Sequence, residues 1–337
     1  MMTPDPKLRQ ALPDHLGSER RGKPVFPPHF FAPSRWSEFA RSLWSGQRLV
    51  IAVPYLWLLL FFLVPFLIVL GISFSESQLA MPPYTPLWRW AQGTGQLVLL
   101  LNIDSHLFLL TDPLYVSAFL YSVKVAAVSA FLCLLIGYPM AYAIARSTPA
   151  LRNLYLMLII LPFWTSFLLR VYAWVGLLKT DGLINNALIG MGLIDGPLTL
   201  LYTDFAVYIG IVYSYLPFMI LPLYSNLEKH DLQLLEAAAD LGARPLTGFL
   251  RVTLPLSMPG VVAGSLLVFI PAVGEYVIPS LLGPTDQLMI GRVLYDEFFS
   301  NRDWPVASAV AIAMLFLLLV PIVLFQRFQN RELEGRG

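Results

Sequence analysis

Six apolar runs leave this chain little freedom in what it can fold into. They fall near residues 49–72, 118–143, 154–178, 205–224, 260–282 and 307–325. Each is close to or above the roughly 20 residues that a helix needs to cross about 30 Å of hydrocarbon. Within a bilayer every backbone N–H and C=O must be paired, so runs of this length become helices. Composition agrees: 57% of the residues are hydrophobic and only 13% are charged, which excludes a soluble globule. The fold expected is an all-α polytopic membrane protein with six transmembrane helices. Prolines at 54, 65, 139, 162, 217, 222, 271 and 279 predict kinks within them. The first run starts too late and is too long for a cleaved signal peptide, so it reads as a retained span. No internal repeat is evident.

Lysine and arginine orient the spans. Eight lie in the first 48 residues, which predicts a cytoplasmic N-terminus. With that end inside, the cytoplasmic segments carry sixteen Lys and Arg and the external ones four: Arg89, Lys179, Arg292 and Arg302. The organisation expected is a basic cytoplasmic tail over 1–48, with an interfacial helix near 36–44, and an accessory first span over 49–72. An external loop over 73–116 follows, long enough to form structure of its own. A five-span core occupies 117–325, with a cytoplasmic loop at 232–256, and a cytoplasmic tail closes the chain over 326–337. The external segments are acidic, with Glu76, Asp104, Asp296, Glu297 and Asp303 among their carboxylates. That face reads either as a negative mouth that concentrates cations or as ordinary solvated loops.

Chemistry-bearing side chains are few. Cys133, the single cysteine, lies inside a span, and all four histidines lie outside the spans, so neither a disulfide nor a metal centre is expected. Neither H-E-x-x-H nor G-x-x-x-x-G-K-[ST] occurs, so no zinc-protease site and no nucleotide site is expected. Three charges fall within the apolar runs: Lys124, Arg170 and Glu275. Such residues cost several kcal/mol unless paired or wet, so each is a functional candidate. At about 1.5 Å per residue along unbroken helices, all three fall in an outer layer of the membrane. Glu275 either pairs with Arg170 or faces a wet path and attracts a cation, while Lys124 is expected to snorkel to the headgroups. Trp164, Tyr172, Trp174 and Tyr276 surround this layer, with Tyr213 and Tyr215 in the fourth span, and aromatic faces attract alkylammonium groups. Tyr and Trp also form interface belts in any membrane protein.

The most informative polar interruption is residues 234–256, LLEAAADLGARPLTGFLRVTLPL. Its apolar spacing and alanine run predict a short helix, stopped by Gly242 as a left-handed cap and by Pro245. A second short amphipathic segment is expected over 249–254. A small-residue helix beside the membrane lets another protein's backbone approach closely.

Glu236, Ala237, Ala238, Gly242, Val252, Leu254 and Pro255 stand in the register E-A-A-x3-G-x9-I-x-L-P, with Val252 in place of Ile. The segment resembles the EAA loop of permease subunits of bacterial ABC importers. The stretches LPFWTSFLLRVYAWVGLLK, AVYIGIVYSYLPFMILPLY, AGSLLVFIPAVGEYVIPSLLG and MIGRVLYDEFFSNRDWPVASAVA resemble the polyamine branch of that family, its putrescine-importing members above all. The likeness covers nearly everything after residue 49. It implies the type I ABC importer permease fold in a bacterial inner membrane, with alternating access moving a polyamine inward. It also implies a second homologous permease, two cytoplasmic ATPase subunits that bind the ATP and Mg, and a periplasmic polyamine-binding protein. Neither a nucleic-acid partner nor a cofactor in this chain is implied. Glu236, Ala237, Ala238, Asp240, Gly242, Arg244 and Pro255 would couple to the ATPase. Glu275, Tyr276, Arg170, Tyr172, Trp174 and Trp164 are the candidates for the substrate path. A secondary transporter, with Glu275 as proton carrier, is the rival class, and it has no need of an EAA loop.

Overall fold

The computed structural model describes residues 46–90 and 97–334, and the expected basic tail and its interfacial helix at 36–44 lie outside them. The chain divides into two units at Leu63. In the first, α1 (Gly46–Leu58) runs into a π-helical turn, Leu59–Leu63. Its residues from Val50 onward are exposed, the surface that a helix facing acyl chains requires.

The second unit begins with α2 (Val64–Ser73) and a less regular segment. That segment carries an antiparallel hairpin, β1 (Trp88–Trp90) against β2 (Leu97–Leu99), with Trp88 opposite Leu99. The helix α3 (Asp104–Thr111) follows, so the expected external loop does form structure of its own. Next comes α4 (Pro113–Ala145), which Asp112 caps by accepting from the Leu114 amide at 2.8 Å. Its 33 residues make it longer than the hydrocarbon is thick.

The third expected span is not one helix. α5 (Pro149–Ile160) passes through a 3-10 turn, Leu161–Trp164, and α6 (Phe167–Leu178) leads to α7 (Leu183–Gly190). The two halves meet at 90°. Pro162 has no N–H to give, and Thr165 and Ser166 take extended backbone, so the helical ladder stops there. Beyond α7 the loop is tied by Asn185, fully buried. It donates to the carbonyls of Lys179, Thr180 and Leu198 and accepts from the Leu198 amide at 2.9 Å.

α8 (Asp204–Leu227) precedes the polar loop, which holds α9 (Gln233–Asp240) and α10 (Pro245–Gly248). The expected separate segment over 249–254 is instead a π turn, Phe249–Thr253, that merges α10 with α11 (Leu254–Val273). The fifth span therefore starts earlier than expected and breaks at Gly274–Tyr276, before α12 (Val277–Leu282). α13 (Ile290–Tyr295), a π turn at Asp296–Ser300 and α14 (Trp304–Glu334) complete the unit. The expected tail at 326 onward is a continuation of α14 through Glu334.

Among the described residues five helices are long and apolar enough to cross a membrane, six if the bent pair is counted as one span. Helices α4, α8 and α11 pack around buried Cys133, Met219, Leu223 and Val268. Association inside a bilayer gains little from the hydrophobic effect and depends on close packing. Gly137 and Gly264 supply it, because a Cβ on either would meet Met219 at 3.1 and 2.8 Å.

Candidate functional site

Two places carry the residues singled out from the sequence. At one end of the bundle, the loop of α9 and α10 stands out from the spans. α9 ends on Gly242 at φ +83°, with the Gly242 amide on Ala239 O at 2.8 Å and the Ala243 amide on Ala238 O at 2.9 Å. This is the six-to-one closure that a left-handed glycine permits. A Cβ at Gly242 would meet nothing within 4 Å, so backbone conformation alone demands glycine there.

Glu236, Ala237, Asp240, Gly242, Arg244 and Pro255 are all exposed, and Ala238 is half-buried. Glu236 lies in the first turn of α9, where a carboxylate suits the helix dipole. Leu241 at 90% and Leu246 at 68% exposure add apolar surface beside them. The loop is braced from within. Leu235, Ala238, Phe249 and Tyr142 line one cavity of about 330 Å³. Phe249 meets Tyr138 and Tyr142 edge-on, and Tyr138 bonds Ser257 at 2.8 Å. The His230 ring nitrogen lies 3.2 Å from Leu256 O.

The second place is the break between α11 and α12. Glu275 is buried there, 7% exposed. One carboxylate oxygen accepts from the Val277 and Ile278 amides at 3.0 and 3.3 Å, and the other accepts the Tyr215 hydroxyl at 2.5 Å. The carboxylate thus supplies the partners that the first turn of α12 lacks. Gly274 and Pro271 in the sequence were the available signal for this break, beneath an otherwise uniform apolar run.

Arg170 does not pair with Glu275; the ion pairs among the described residues are Lys124–Asp204, Arg152–Glu228 and Arg292–Asp296. Its guanidinium lies over Phe163 at 5.4 Å and Phe167 at 5.8 Å, and its Nε is buried without a hydrogen bond. Phe163 meets Phe218, and Phe218 meets Tyr215, so rings separate the two charges. Lys124, expected to snorkel, lies 3.6 Å from Asp204, whose other oxygen takes the Tyr121 hydroxyl. Tyr276 stacks on Tyr295 and Trp174 meets Tyr213 edge-on, whereas Trp164 and Tyr172 are exposed on the surface of the chain. Tyr215, an aromatic of the fourth span expected near this layer, is the one that reaches Glu275, whereas Tyr295 has its signal in the run YDEFFSNRDW, where rings alternate with carboxylates.

Among the described residues no cluster of His, Cys, Asp and Glu has the makings of a metal site.

The family model described as binding-protein-dependent transport system inner membrane component matches residues 133–334. The chain is 40% identical over 291 residues to the Haemophilus influenzae protein described as spermidine/putrescine transport system permease protein PotB, covering 86% of this chain and 96% of that one. Its likeness to the Escherichia coli protein of the same description is 38% over 281 residues, covering 82% and 97%. Among solved structures, a chain of a bacterial ABC transporter that imports alginate superposes with a TM-score of 0.61 at 17% identity, covering 88% of this chain and 98% of that one. The fold is that of type I ABC importer permeases. The chain belongs to the family of binding-protein-dependent transport system inner membrane components, and it is a permease subunit and not an enzyme.

Proposed function

We propose that this chain is one of two membrane subunits of an ATP-driven importer of putrescine or a related polyamine. The observation that carries the reading is the exposed loop of α9. There the EAA register, the left-handed Gly242 and the bare Leu241 and Leu246 come together on a braced knob. In this reading the knob docks into a cytoplasmic ATPase, two copies of which hold the ATP and Mg. The asymmetry of Lys and Arg supports the placement of that loop and both termini in the cytoplasm. A periplasmic polyamine-binding protein delivers substrate to the opposite, acidic end. A second, homologous permease completes the path. Residues 49–72 then form an accessory span, and 117–325 the core.

Movement reaches the membrane along one helix, because the loop runs without a break from Pro245 to Val273. At its far end lies Glu275, the carboxylate best placed to attract a cation, with Tyr276 next to it. Arg170 beyond the rings is the counter-charge that holds the path closed between cycles, and Trp164, Tyr172 and Trp174 flank it. A cationic cargo is favoured by this distribution, and the names of the relatives favour a polyamine. Putrescine over spermidine rests on the resemblance of the segment around Glu275. The test is a competition panel in cells lacking their own polyamine importer. Putrescine uptake that excess spermidine scarcely inhibits supports the finer reading, and equal competition replaces it with a carrier of both.

A further inference from the structure

The rings do not stop at Glu275. From the helix break outward, Tyr276 stacks on Tyr295 at 4.2 Å between centroids, and Tyr295 meets Phe299 at 4.6 Å. Phe299 meets Phe298 at 4.9 Å, Phe298 stacks on Trp304 at 5.1 Å, and Trp304 reaches Tyr84 at 6.0 Å. A π turn, Asp296–Ser300, sets this row, and such turns recur where side chains must leave the α-helical register. Rings serving only as core would be covered, yet Phe299 is 60%, Tyr295 37% and Phe298 36% exposed.

Carboxylates accompany the row. Glu297 is fixed by the Tyr115 hydroxyl at 2.8 Å and the Asn301 amide at 3.0 Å. Asp303 borders a concavity of about 490 Å³ together with Glu76 and Asp104. Asp296 lies 3.9 Å from Arg292, and Glu275 closes the inner end. Carboxylates therefore follow the rings inward, with Arg292 held by Asp296, Arg302 exposed at the outer end, and Arg170 over its own rings beyond the break.

We infer that Tyr276, Tyr295, Phe299, Phe298 and Trp304 form a cation–π track that receives the ammonium groups of a linear alkyl diamine and passes them inward to Glu275. The inference rests on the polyamine reading above. Ring faces attract ammonium ions while the methylene chain lies against the same surface. Each such contact is weak, and a path must bind its cargo loosely enough to release it to the next site. A row of carboxylates alone would bind a dication at each step without the weak ring contacts that ease its release to the next.

The experiment uses the whole transporter in proteoliposomes, with both permeases, the ATPase and the binding protein. Phenylalanine at 299 is replaced by its mono-, di- and trifluoro analogues, which keep shape while draining the ring face of negative charge. Putrescine import is expected to fall stepwise, by about tenfold at the trifluoro ring, while ATP hydrolysis stimulated by the binding protein stays unchanged. Phe299→Leu should match the trifluoro ring. Import that stays flat along the fluorine series overturns the track and leaves the rings as a lipid-interface belt, as does a Phe299→Leu loss of import and ATP hydrolysis together. A wild-type complex that hydrolyses ATP but imports no diamine overturns the polyamine reading itself, and the track with it.

Discussion

The turn at Gly242 and the break at Glu275 are both ends of helices, built in opposite ways. At Gly242 the chain turns on a positive φ, no side chain touches the position, and solvent serves the remaining carbonyls. At Glu275 the end is buried, and a side chain provides the partners that water would otherwise supply. Where water reaches the backbone, a glycine suffices to end a helix. Where it does not, an unpaired amide costs several kcal/mol, so ending a helix takes an acceptor brought along for the purpose. The first end is free to present a surface to another protein. The second makes one carboxylate serve both structure and, in the proposed path, charge.

The largest effect should come from forcing the first end to behave otherwise. Gly242→Val places a β-branched residue at φ +83°, a conformation it scarcely adopts. Transport should fall at least about tenfold, and the ATPase should no longer co-purify, while the spans keep wild-type thermal stability. Full transport with an intact complex would show that the cap geometry is dispensable.

Glu275 separates into its two duties by a pair of substitutions. Glu275→Gln retains an oxygen for the Val277 and Ile278 amides and loses only the charge. It should unfold like wild type and import about tenfold less. Glu275→Ala strands the two amides and the Tyr215 hydroxyl and should lower stability by about 1–3 kcal/mol in denaturant titration. If Gln imports normally and Ala alone is impaired, the carboxylate is a cap and nothing more.

Asn185 tests the same rule away from the path. Asn185→Ala removes an amide that pairs with four backbone groups, and should cost about 2 kcal/mol. Proteolysis within 179–198 should accelerate, with little change in import by the surviving protein.

The smallest effect concerns how the loop is fastened. Burial lowers the His230 pKa from its ordinary 6.5, with the nearby Arg146 charge acting in the same direction and the Leu256 carbonyl against it. The folded loop therefore favours the neutral ring. Its contribution is present above about pH 6.5 and is lost as pH falls through the folded pKa. Amide exchange over 233–240, corrected for intrinsic rates, should rise below pH 6 in wild type and less so in His230→Gln.

Much of this was legible in the chain. Six long apolar runs dictate helices, and at residues 234–256 the signals are local ones, an alanine run and a glycine with proline behind it, so α9 ends at Asp240, just ahead of the expected stop at Gly242. Local signals fail where tertiary pairing decides. Pro162 and Pro271 predict kinks in these runs, but periodicity is blind to how far a uniformly apolar run bends, so the 90° corner at Thr165 and the break at Gly274 exceed what the prolines alone convey. The estimated depths of Arg170 and Glu275 assumed straight helices for that reason. Likewise no spacing connects Tyr215 to Glu275, 60 residues apart, or places Lys124 beside Asp204.

The central claim is that a loop braced for docking drives polyamine through the spans to which it is joined. The most direct measurement is putrescine uptake into proteoliposomes holding both permeases, the ATPase and the binding protein, with and without ATP inside the compartment that the loop faces. The account predicts uptake that requires ATP and the binding protein and that disappears with Gly242→Val. Uptake driven by a proton gradient without ATP, undiminished by that substitution, would contradict it.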